Sequence, residues 1–344
     1  MSVTRSVAWA CAVAALACGG ARGAESVKFF GYLEYRKGSV LIVDAQRVIV
    51  TAKTKVHLSG GNQSIPLGYE LLVQGERAPD GSIIAKTIEA KPNGLAFMEK
   101  NVLQQTEQAE QAYVKAAKMY EAGADGKATS MGNLLSTGPQ VDRCRKIVDR
   151  LLPAYVDPKN VRVYVVENPE WNAMAMANYS IYTFSGLMKD LDDDELAIVL
   201  GHEIAHASHE HSRRQAKKSV FGNVAGQAAM IGASFIGSDL GRTAAQQATA
   251  VGVTTYSNFY SRDYEDQADR VGLRYVYEAG YDVHKAPPLW RKFAAKYGDG
   301  NKAENFFFGD HSLSAKRASD LEKEIAHNYA DPAKDPPSRA GGGR

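Results

Sequence analysis

Two histidines and a glutamate in this chain have the spacing that a zinc hydrolase needs. They are His202, Glu203 and His206, in the stretch His-Glu-Ile-Ala-His. On a helix, residues i and i+4 share one face, so the two imidazole rings can bind one metal ion. Glu203 falls about a quarter-turn away, where its carboxylate can hold the reacting water instead of the metal. The pattern therefore predicts metal-assisted hydrolysis.

A third protein ligand is needed, and the residues that follow the motif do not supply it. The metzincin pattern requires a histidine ten positions after His202, where this chain has Ser212. His209 shares a helical face with His202, but seven residues span about 10.5 Å of helix, which is too far for one ion. His211 falls on the opposite face of the same helix.

Glu265 is the candidate that remains. Glu265 and Asp269 lie four residues apart in the stretch Ser-Arg-Asp-Tyr-Glu-Asp-Gln-Ala-Asp, so on a helix they share a face. Glu265 can bind zinc through a carboxylate oxygen, and Asp269 can accept the second ring N–H of a ligand histidine. Two histidines, one glutamate and an open position for water make a catalytic rather than a structural zinc site. We predict one Zn²⁺ per chain, bound by His202, His206 and Glu265.

Four stretches of the chain together resemble a known protease family. They are DDELAIVLGHEIAHASHEHSRR, SRDYEDQAD, the run WNAMA followed by IYTFSGLM, and HSLSAKR. Between about Val141 and Leu321 the chain resembles the HtpX-like and CAAX-prenyl-endopeptidase-type zinc metalloproteases, a gluzincin group. The resemblance implies peptide-bond hydrolysis in a mostly helical, zincin-like domain, and a role in degrading or processing misfolded bacterial envelope proteins.

The last of these stretches supplies two further candidate catalytic residues by resemblance. His311 and Arg317 would stabilise the tetrahedral oxyanion that forms during hydrolysis. The chain departs from the family pattern at Ser312, where proline is usual, and at residues 177–179, where a Pro-Gly-Gly-like turn is usual. The metal ligands and Glu203 do not depart from it.

A small sheet is expected beside the catalytic helix. Val161–Val166 and Tyr179–Phe184 have the composition of strands. In zinc proteases the edge of such a sheet can bind an extended peptide as an added strand. We therefore predict substrate contacts, with a purely structural strand as the alternative, at Asn172, Ala173, Met174, Ala175 and Met176.

A separate β-module is predicted before the protease domain, in residues 24–95. Five short alternating runs are separated there by turn signals such as Pro79-Asp80-Gly81, and they predict a small, OB-like β-barrel. The module would be either a docking site for substrate or envelope partners, or a rigid support for the protease domain. The strands are expected at Val27–Tyr35, Ser39–Val43, Arg47–Thr51, Tyr69–Gly75 and Ile83–Glu89.

Residues 1–23 are typical of an export signal. Arg5 gives a basic start, Val7–Cys18 is a short apolar run, and small residues precede a cleavage point before Ala24. Ala-Leu-Ala-Cys, which ends at Cys18, also resembles a bacterial lipobox, in which case Cys18 would carry lipid and tether the protein to a membrane. Both routes predict an exported protein, either periplasmic or lipid-anchored at the outer membrane.

The remaining segments are assigned by composition and periodicity. Residues 96–130 are predicted as a long polar helix, ending near Ala122, and a linker, while 131–330 form the protease domain and 331–344 a disordered tail. The run Ser219–Ser238 carries no charged residue but is too polar to span a membrane. We expect a buried or flap-forming helix there, which could move over the active site. The whole pattern predicts an α+β fold.

The charge balance argues against a nucleic-acid partner. The chain has 41 basic and 39 acidic side chains and a net charge of +2, whereas binding to nucleic acid requires a basic face. Polypeptides are the expected partners. The competing hypothesis is a chaperone-like protein that binds clients with the barrel and the long helix, with proteolysis secondary or gated. Glu203 argues against it, because a pure binding protein has no need of a general base.

Overall fold

The computed structural model describes residues 25–58, 65, 69–91, 97–122, 128–154, 156–212, 214, 260, 262–297 and 315–329. These residues form an α+β fold, as the sequence predicts: a small β-barrel is followed by a mostly helical part that contains a second sheet. Among them, no helix is both long enough and apolar enough to cross a membrane. Several predictions fall outside the described residues, namely those for segment 1–23 with Cys18, Ser219–Ser238, His311 and the tail 331–344.

Six strands form the N-terminal sheet, in the order β3-β2-β1-β5-β6-β4. A parallel pairing between β3 and β6 closes five of them into a ring, which is the predicted five-stranded barrel. The additional strand, β4, pairs in parallel with β6 and was not predicted, because it is short and three of its four side chains are exposed. The strands are β1 (Glu25–Lys37), β2 (Val40–Val43), β3 (Gln46–Ile49), β4 (Lys55–Leu58), β5 (Glu70–Arg77) and β6 (Ile83–Lys91).

Alternation along the strands fills the interior of the barrel. In β5 and β6, the apolar residues Leu71, Val73, Ile83 and Ile88 are completely buried. They pack in one cluster with Leu33 from β1. Because successive side chains on a strand point to opposite faces, one apolar face per strand is enough to build this core.

The second sheet has five strands in the order β10-β11-β9-β8-β7. The two central strands, β9 and β11, are parallel, and β10 lies at an edge of the sheet. Both of the strands expected next to the catalytic helix are present, as β9 and β11. The strands are β7 (Lys118–Ala122), β8 (Ala128–Leu135), β9 (Arg162–Glu167), β10 (Ala173–Ala175) and β11 (Ser180–Phe184).

The long helix before this sheet ends earlier than the sequence predicts. Helix α1 covers Phe97–Ala116, so the expected helix end near Ala122 is wrong, and residues 128–130, expected in a flexible linker, lie in strand β8. Ala117 has a φ of +49°, which stops the helix. The residues that follow form the β7–β8 hairpin, which buries Met119 in the core of the sheet. Tertiary pairing thus overrides a locally helical composition.

Two helices at the centre of the molecule approach each other closely. Helix α4 (Asp193–Ser208) carries the His-Glu-x-x-His motif and packs against α5 (Arg262–Glu278) where Gly201 faces Gly272. A Cβ on Gly272 would lie only 2.7 Å from the backbone nitrogen of His202. The absence of both side chains lets the two backbones come near enough for side chains from both helices to reach one point. The other α-helices of the described residues are α2 (Pro139–Leu151), α3 (Ser185–Asp190), α6 (Ala286–Tyr297) and α7 (Ala315–Asn328).

The start of α4 is specified by its sequence. The side chain of Asp192 accepts from the backbone nitrogen of Glu195 at 3.0 Å, and the side chain of Glu195 accepts from the nitrogen of Asp192 at 3.3 Å. This reciprocal capping box satisfies two backbone donors that a helix end leaves free, and the acidic first turn complements the helix dipole. From Glu195 to Ser208 every residue of α4 is buried, so the catalytic motif lies in the core of the domain.

Candidate metal centre

The two helices bring the three predicted ligands together. The Nε2 atoms of His202 and His206 lie 3.0 Å apart. The carboxylate of Glu265 approaches both rings, with 3.5 Å from one oxygen to Nε2 of His202 and 3.3 Å from the other to Nε2 of His206. All three side chains are buried, and one ligand atom from each lies within 4.8 Å of the others. Two imidazole nitrogens and a carboxylate oxygen are a donor set that fits zinc.

The outer nitrogen of His202 is held by an acidic partner. Oδ1 of Asp269 lies 2.9 Å from Nδ1 of His202, so the structure brings these two predicted residues into contact. Burial raises the pKa of Asp269, but Arg317 and His202 lower it more, to about 2. Asp269 is therefore a carboxylate at neutral pH and can accept the Nδ1–H of His202, which leaves Nε2 with a lone pair for a metal.

The charges around His202 favour a cation at this place. Burial lowers the pKa of its imidazole, but hydrogen bonds to Asp269 and Glu265 raise it more, to about 9. Two carboxylates against one buried ring thus attract either a proton or a metal ion. Metal binding at such a site displaces the proton.

Glu203 faces the edge strand of the second sheet. Its Oε2 accepts a hydrogen bond from the backbone nitrogen of Ala175 in β10, at 3.2 Å. It is buried at 2% exposure and lies on the same helix as the two histidines. The carboxylate is thereby held between the ligand cluster and the strand at which a peptide is predicted to bind.

The five predicted substrate-contacting residues form strand β10 and its two flanking positions, and all five are buried. Met174 and Met176 pack in the core of the second sheet, while Ala173 and Ala175 pack in the main core. Asn172 is also buried. These side chains therefore face the interior, and none of the five residues offers an exposed contact surface.

Arg317 is buried against Glu265 and Asp269. Its guanidinium donates to both oxygens of Asp269, from Nε at 2.8 Å and from Nη2 at 2.5 Å. Its Nη1 lies 3.3 Å from Glu265, and the guanidinium stacks 3.9 Å from the ring centroid of Trp290. The other predicted oxyanion residue, His311, lies outside the described residues.

His211 contacts the centre, contrary to the expectation that it would point away. Its Nδ1 lies 2.8 Å from Nδ1 of His206. The expectation is wrong because it assumed a continuous helix, whereas α4 ends at Ser208 and Glu210 has a φ of +57°. The chain turns back there, and the ring of His211 packs beneath His206. Burial lowers the pKa of His211 well below its usual range, so its ring is neutral.

Gln267 is the second contact that the sequence analysis missed. Its Oε1 lies 2.9 Å from Nε2 of His211, two residues along α5 from Glu265. A glutamine in an acidic helical stretch gives no chemical signal by itself. The nearest chemical signal in the sequence was His211 itself, just after the motif.

A helix that carries His-Glu-x-x-His, combined with a glutamate from a second helix, defines the class of zinc metallopeptidases. Comparison with known proteins agrees with this class. Residues 143–325 match the description Peptidase family M48. This match covers more than half of the chain, which therefore belongs to peptidase family M48.

Relatives with this similarity include three bacterial proteases. The chain is 31% identical to metalloprotease YcaL of Escherichia coli strain K12 over 169 residues, which are 49% of this chain and 63% of YcaL. It is 24% identical to metalloprotease LoiP of the same strain over 250 residues, which are 71% of this chain and 96% of LoiP. It is 28% identical to a putative beta-barrel assembly-enhancing protease of Vibrio cholerae over 169 residues, which are 48% of this chain and 34% of that protein.

Proposed function

We propose that this chain is an exported zinc-dependent endopeptidase. The observation that carries the proposal is the convergence of His202, His206 and Glu265 next to a glutamate that faces an edge strand. These three residues would hold one Zn²⁺, and Asp269 would orient His202. Membership of peptidase family M48 supports the same activity.

The chemistry divides between the metal and Glu203. Zinc, when bound, acidifies a water molecule and polarises the scissile carbonyl group. Glu203 accepts the proton of the attacking water and passes it to the leaving amine. Its Oε2 accepts a hydrogen bond from the backbone nitrogen of Ala175, which fixes the position of the carboxylate. A fixed carboxylate avoids the cost of ordering the base during the reaction.

The substrate would be an extended polypeptide that pairs with β10. Main-chain hydrogen bonds to a sheet edge give affinity with little dependence on substrate sequence. The edge position of β10 and its contact with Glu203 support this mode of binding. We expect a broad rather than a narrow cleavage preference.

The contacts of Arg317 favour a role other than oxyanion stabilisation. Its guanidinium donates to both oxygens of Asp269, and its Nη1 approaches the Glu265 oxygen that faces His202. We propose that Arg317 positions these two carboxylates, and that the oxyanion is stabilised by His311. An arginine locked by two carboxylates loses most of its capacity to respond to a new negative charge.

The proposed location and biological task of this chain rest on its N-terminal segment and on its relatives. The signal pattern in residues 1–23 supports export, with Cys18 as a lipid anchor in the second of the two processing routes. The name of the Vibrio cholerae relative describes a protease that enhances β-barrel assembly. We propose a corresponding role in the quality control of envelope proteins. Mass spectrometry of the mature protein decides the route, because an N-terminal Ala24 excludes the anchor and a diacylated Cys18 establishes it.

A cleavage assay tests the activity. Purified protein is incubated with casein before and after treatment with a chelator, and zinc is then added back. We expect cleavage to stop on chelation and to return with zinc. Binding of unfolded casein without any cleavage, in zinc-loaded protein, would instead support the chaperone-like alternative.

A further inference from the structure

The β-barrel is joined to the candidate metal centre by a continuous row of hydrogen bonds. From Nδ1 of His206 the row passes to His211 at 2.8 Å, and from Nε2 of His211 to Oε1 of Gln267 at 2.9 Å. Nε2 of Gln267 then donates to Glu34 at 2.5 Å and to Asp44 at 2.8 Å, both in the barrel. We call these five residues the barrel relay.

The donors and acceptors along the barrel relay are compatible with a single direction. Oε1 of Gln267 also accepts from Arg214 at 2.9 Å, and Nε2 faces two carboxylates, so the orientation of the amide is determined. Nε2 of His211 must therefore donate, and in the 2.8 Å contact with His206 its Nδ1 is then the acceptor. Nδ1 of His206 is then the donor, and Nε2 of His206 keeps a lone pair. That tautomer is the one that binds a metal through Nε2.

The barrel end of the relay is firmly held. Glu34 is only 2% exposed; it accepts from Arg270 of α5 at 3.1 Å and from the backbone nitrogen of Ala45 at 3.1 Å. Asp44 accepts from Arg214 at 2.7 Å and from the backbone nitrogen of Tyr32 in β1 at 3.0 Å. Each carboxylate is thus bound both to the barrel and to the helical part, so a shift of the barrel must disturb Gln267.

We propose that the β-barrel is an outer support of the metal ligand His206, with Gln267, Glu34 and Asp44 as positioning residues. This inference rests on the proposed function, because it takes His206 to be a zinc ligand. Glu34 and Asp44 lie outside residues 143–325, which match the family. The barrel relay therefore adds to the family's catalytic segment a contribution from the N-terminal module, and it gives that module a task in metal binding.

This arrangement couples metal binding at His206 to the position of the β-barrel. A cation on Nε2 of His206 makes its Nδ1–H a stronger donor to His211, and polarisation passes along the relay. By linkage, a barrel that stabilises the metal-bound form must itself be held more tightly when metal is bound. When the relay is removed, the free energy of zinc binding is then expected to fall by more than the free energy of unfolding of the zinc-free protein.

Zinc dissociation constants of full-chain variants test the proposal. They are measured by competition with a chromophoric chelator, at a temperature at which circular dichroism shows every variant folded. Gln267→Met removes the amide in the middle of the relay, and we expect zinc affinity to fall about 10–100-fold. The double variant Glu34→Gln, Asp44→Asn keeps the side-chain shapes but removes both charges, so a smaller loss of roughly 3–10-fold is expected.

Tyr32→Phe is the matched control. Its hydroxyl donates to Glu210 at 3.0 Å across the same junction, but it is not part of the relay. We expect its zinc affinity to stay within about twofold of the wild type. The visible spectrum of the cobalt-substituted protein should change in Gln267→Met and not in Tyr32→Phe, because only the first alters the setting of a ligand ring.

The outcomes separate this inference from the proposed function. If both relay variants bind zinc as tightly as Tyr32→Phe, the barrel only packs against the helices and the inference is wrong. Should Gln267→Met not fold, the double variant compared with Tyr32→Phe gives the answer alone. A wild-type protein that binds no zinc contradicts the proposed function, whereas one that binds zinc and cleaves casein with no effect of the relay contradicts the inference alone.

Discussion

The two histidines of the candidate metal centre are supported in different ways. His202 is held directly by a carboxylate, Asp269, which lies on the same helix as the third candidate ligand. His206 contacts a neutral histidine, and its row of hydrogen bonds reaches a carboxylate only in the β-barrel. The outer ring nitrogen of each histidine thus has a partner. For His202 this partner lies on α5, whereas for His206 the row of contacts extends into the β-barrel.

The two supports also differ in their surroundings. Asp269 and Arg317 are both buried, at 8% and 4% side-chain exposure, while Asp44 and Arg214 are partly exposed, at 23% and 17%. Water screens the charges of an exposed pair more strongly. We therefore expect the His202 side to dominate metal affinity, and the His206 side to connect that affinity to the position of the barrel.

The largest effect should come from the ligand that both sides share. Glu265→Gln removes the anionic donor that approaches both rings, at 3.5 and 3.3 Å. We expect zinc affinity to fall by more than the roughly 100-fold that marks the upper end for outer partners, and cleavage to be lost with it. Elemental analysis after gel filtration measures the zinc. Full zinc retention in Glu265→Gln would remove Glu265 from the ligand set.

A smaller loss is expected on the His202 side alone. Asp269→Asn replaces the carboxylate that contacts both His202 and the buried Arg317 with a neutral amide. Zinc affinity should fall about 10–100-fold, and the free energy of unfolding should fall by about 3–5 kcal/mol. Asp282→Asn is the control, because Asp282 is half exposed and caps a short turn remote from the centre. Equal behaviour of the two variants would show that Asp269 does not support the ligand.

The His202 side was predictable from the sequence, and the His206 side was not. Spacings of four residues place His202 with His206, and Glu265 with Asp269, on helical faces. The contact of His211 depends on where α4 ends and on the left-handed backbone of Glu210, neither of which is encoded by a local period. The five ring strands of the barrel followed from alternation and turn residues. The contact of the barrel with Gln267, through Glu34, joins residues more than two hundred positions apart in the sequence.

The smallest effect concerns pH and the barrel end of the relay. Burial raises the pKa of Glu34, but Arg270 and other neighbours lower it more, from 4.5 to about 2. A lowered folded-state pKa means that the stabilisation is complete above pH 4.5 and is lost as the pH falls through about 2. The ionised carboxylate of Glu34 therefore contributes about 3 kcal/mol to the free energy of unfolding at neutral pH.

Urea unfolding at several pH values, in the wild type and in Glu34→Gln, measures this contribution. Asp269 also has a pKa lowered to about 2, so the wild type should lose stability from both groups in the same range. The difference between the two proteins isolates Glu34, and it should shrink as the pH falls. A difference that stays constant with pH would show that Glu34 is not ionised in the folded protein.

The most direct test of the central claim is Glu203→Gln. This change keeps the shape of the side chain but removes the group that accepts the proton of water, while His202, His206 and Glu265 remain. Zinc content and casein cleavage are measured together, with Glu322→Gln on the exposed face of α7 as the control. We predict full zinc occupancy and a cleavage rate lower by about 10²–10⁴-fold, near the upper end because the same group orients the nucleophile. Cleavage near the wild-type rate with zinc bound would contradict the proposed mechanism.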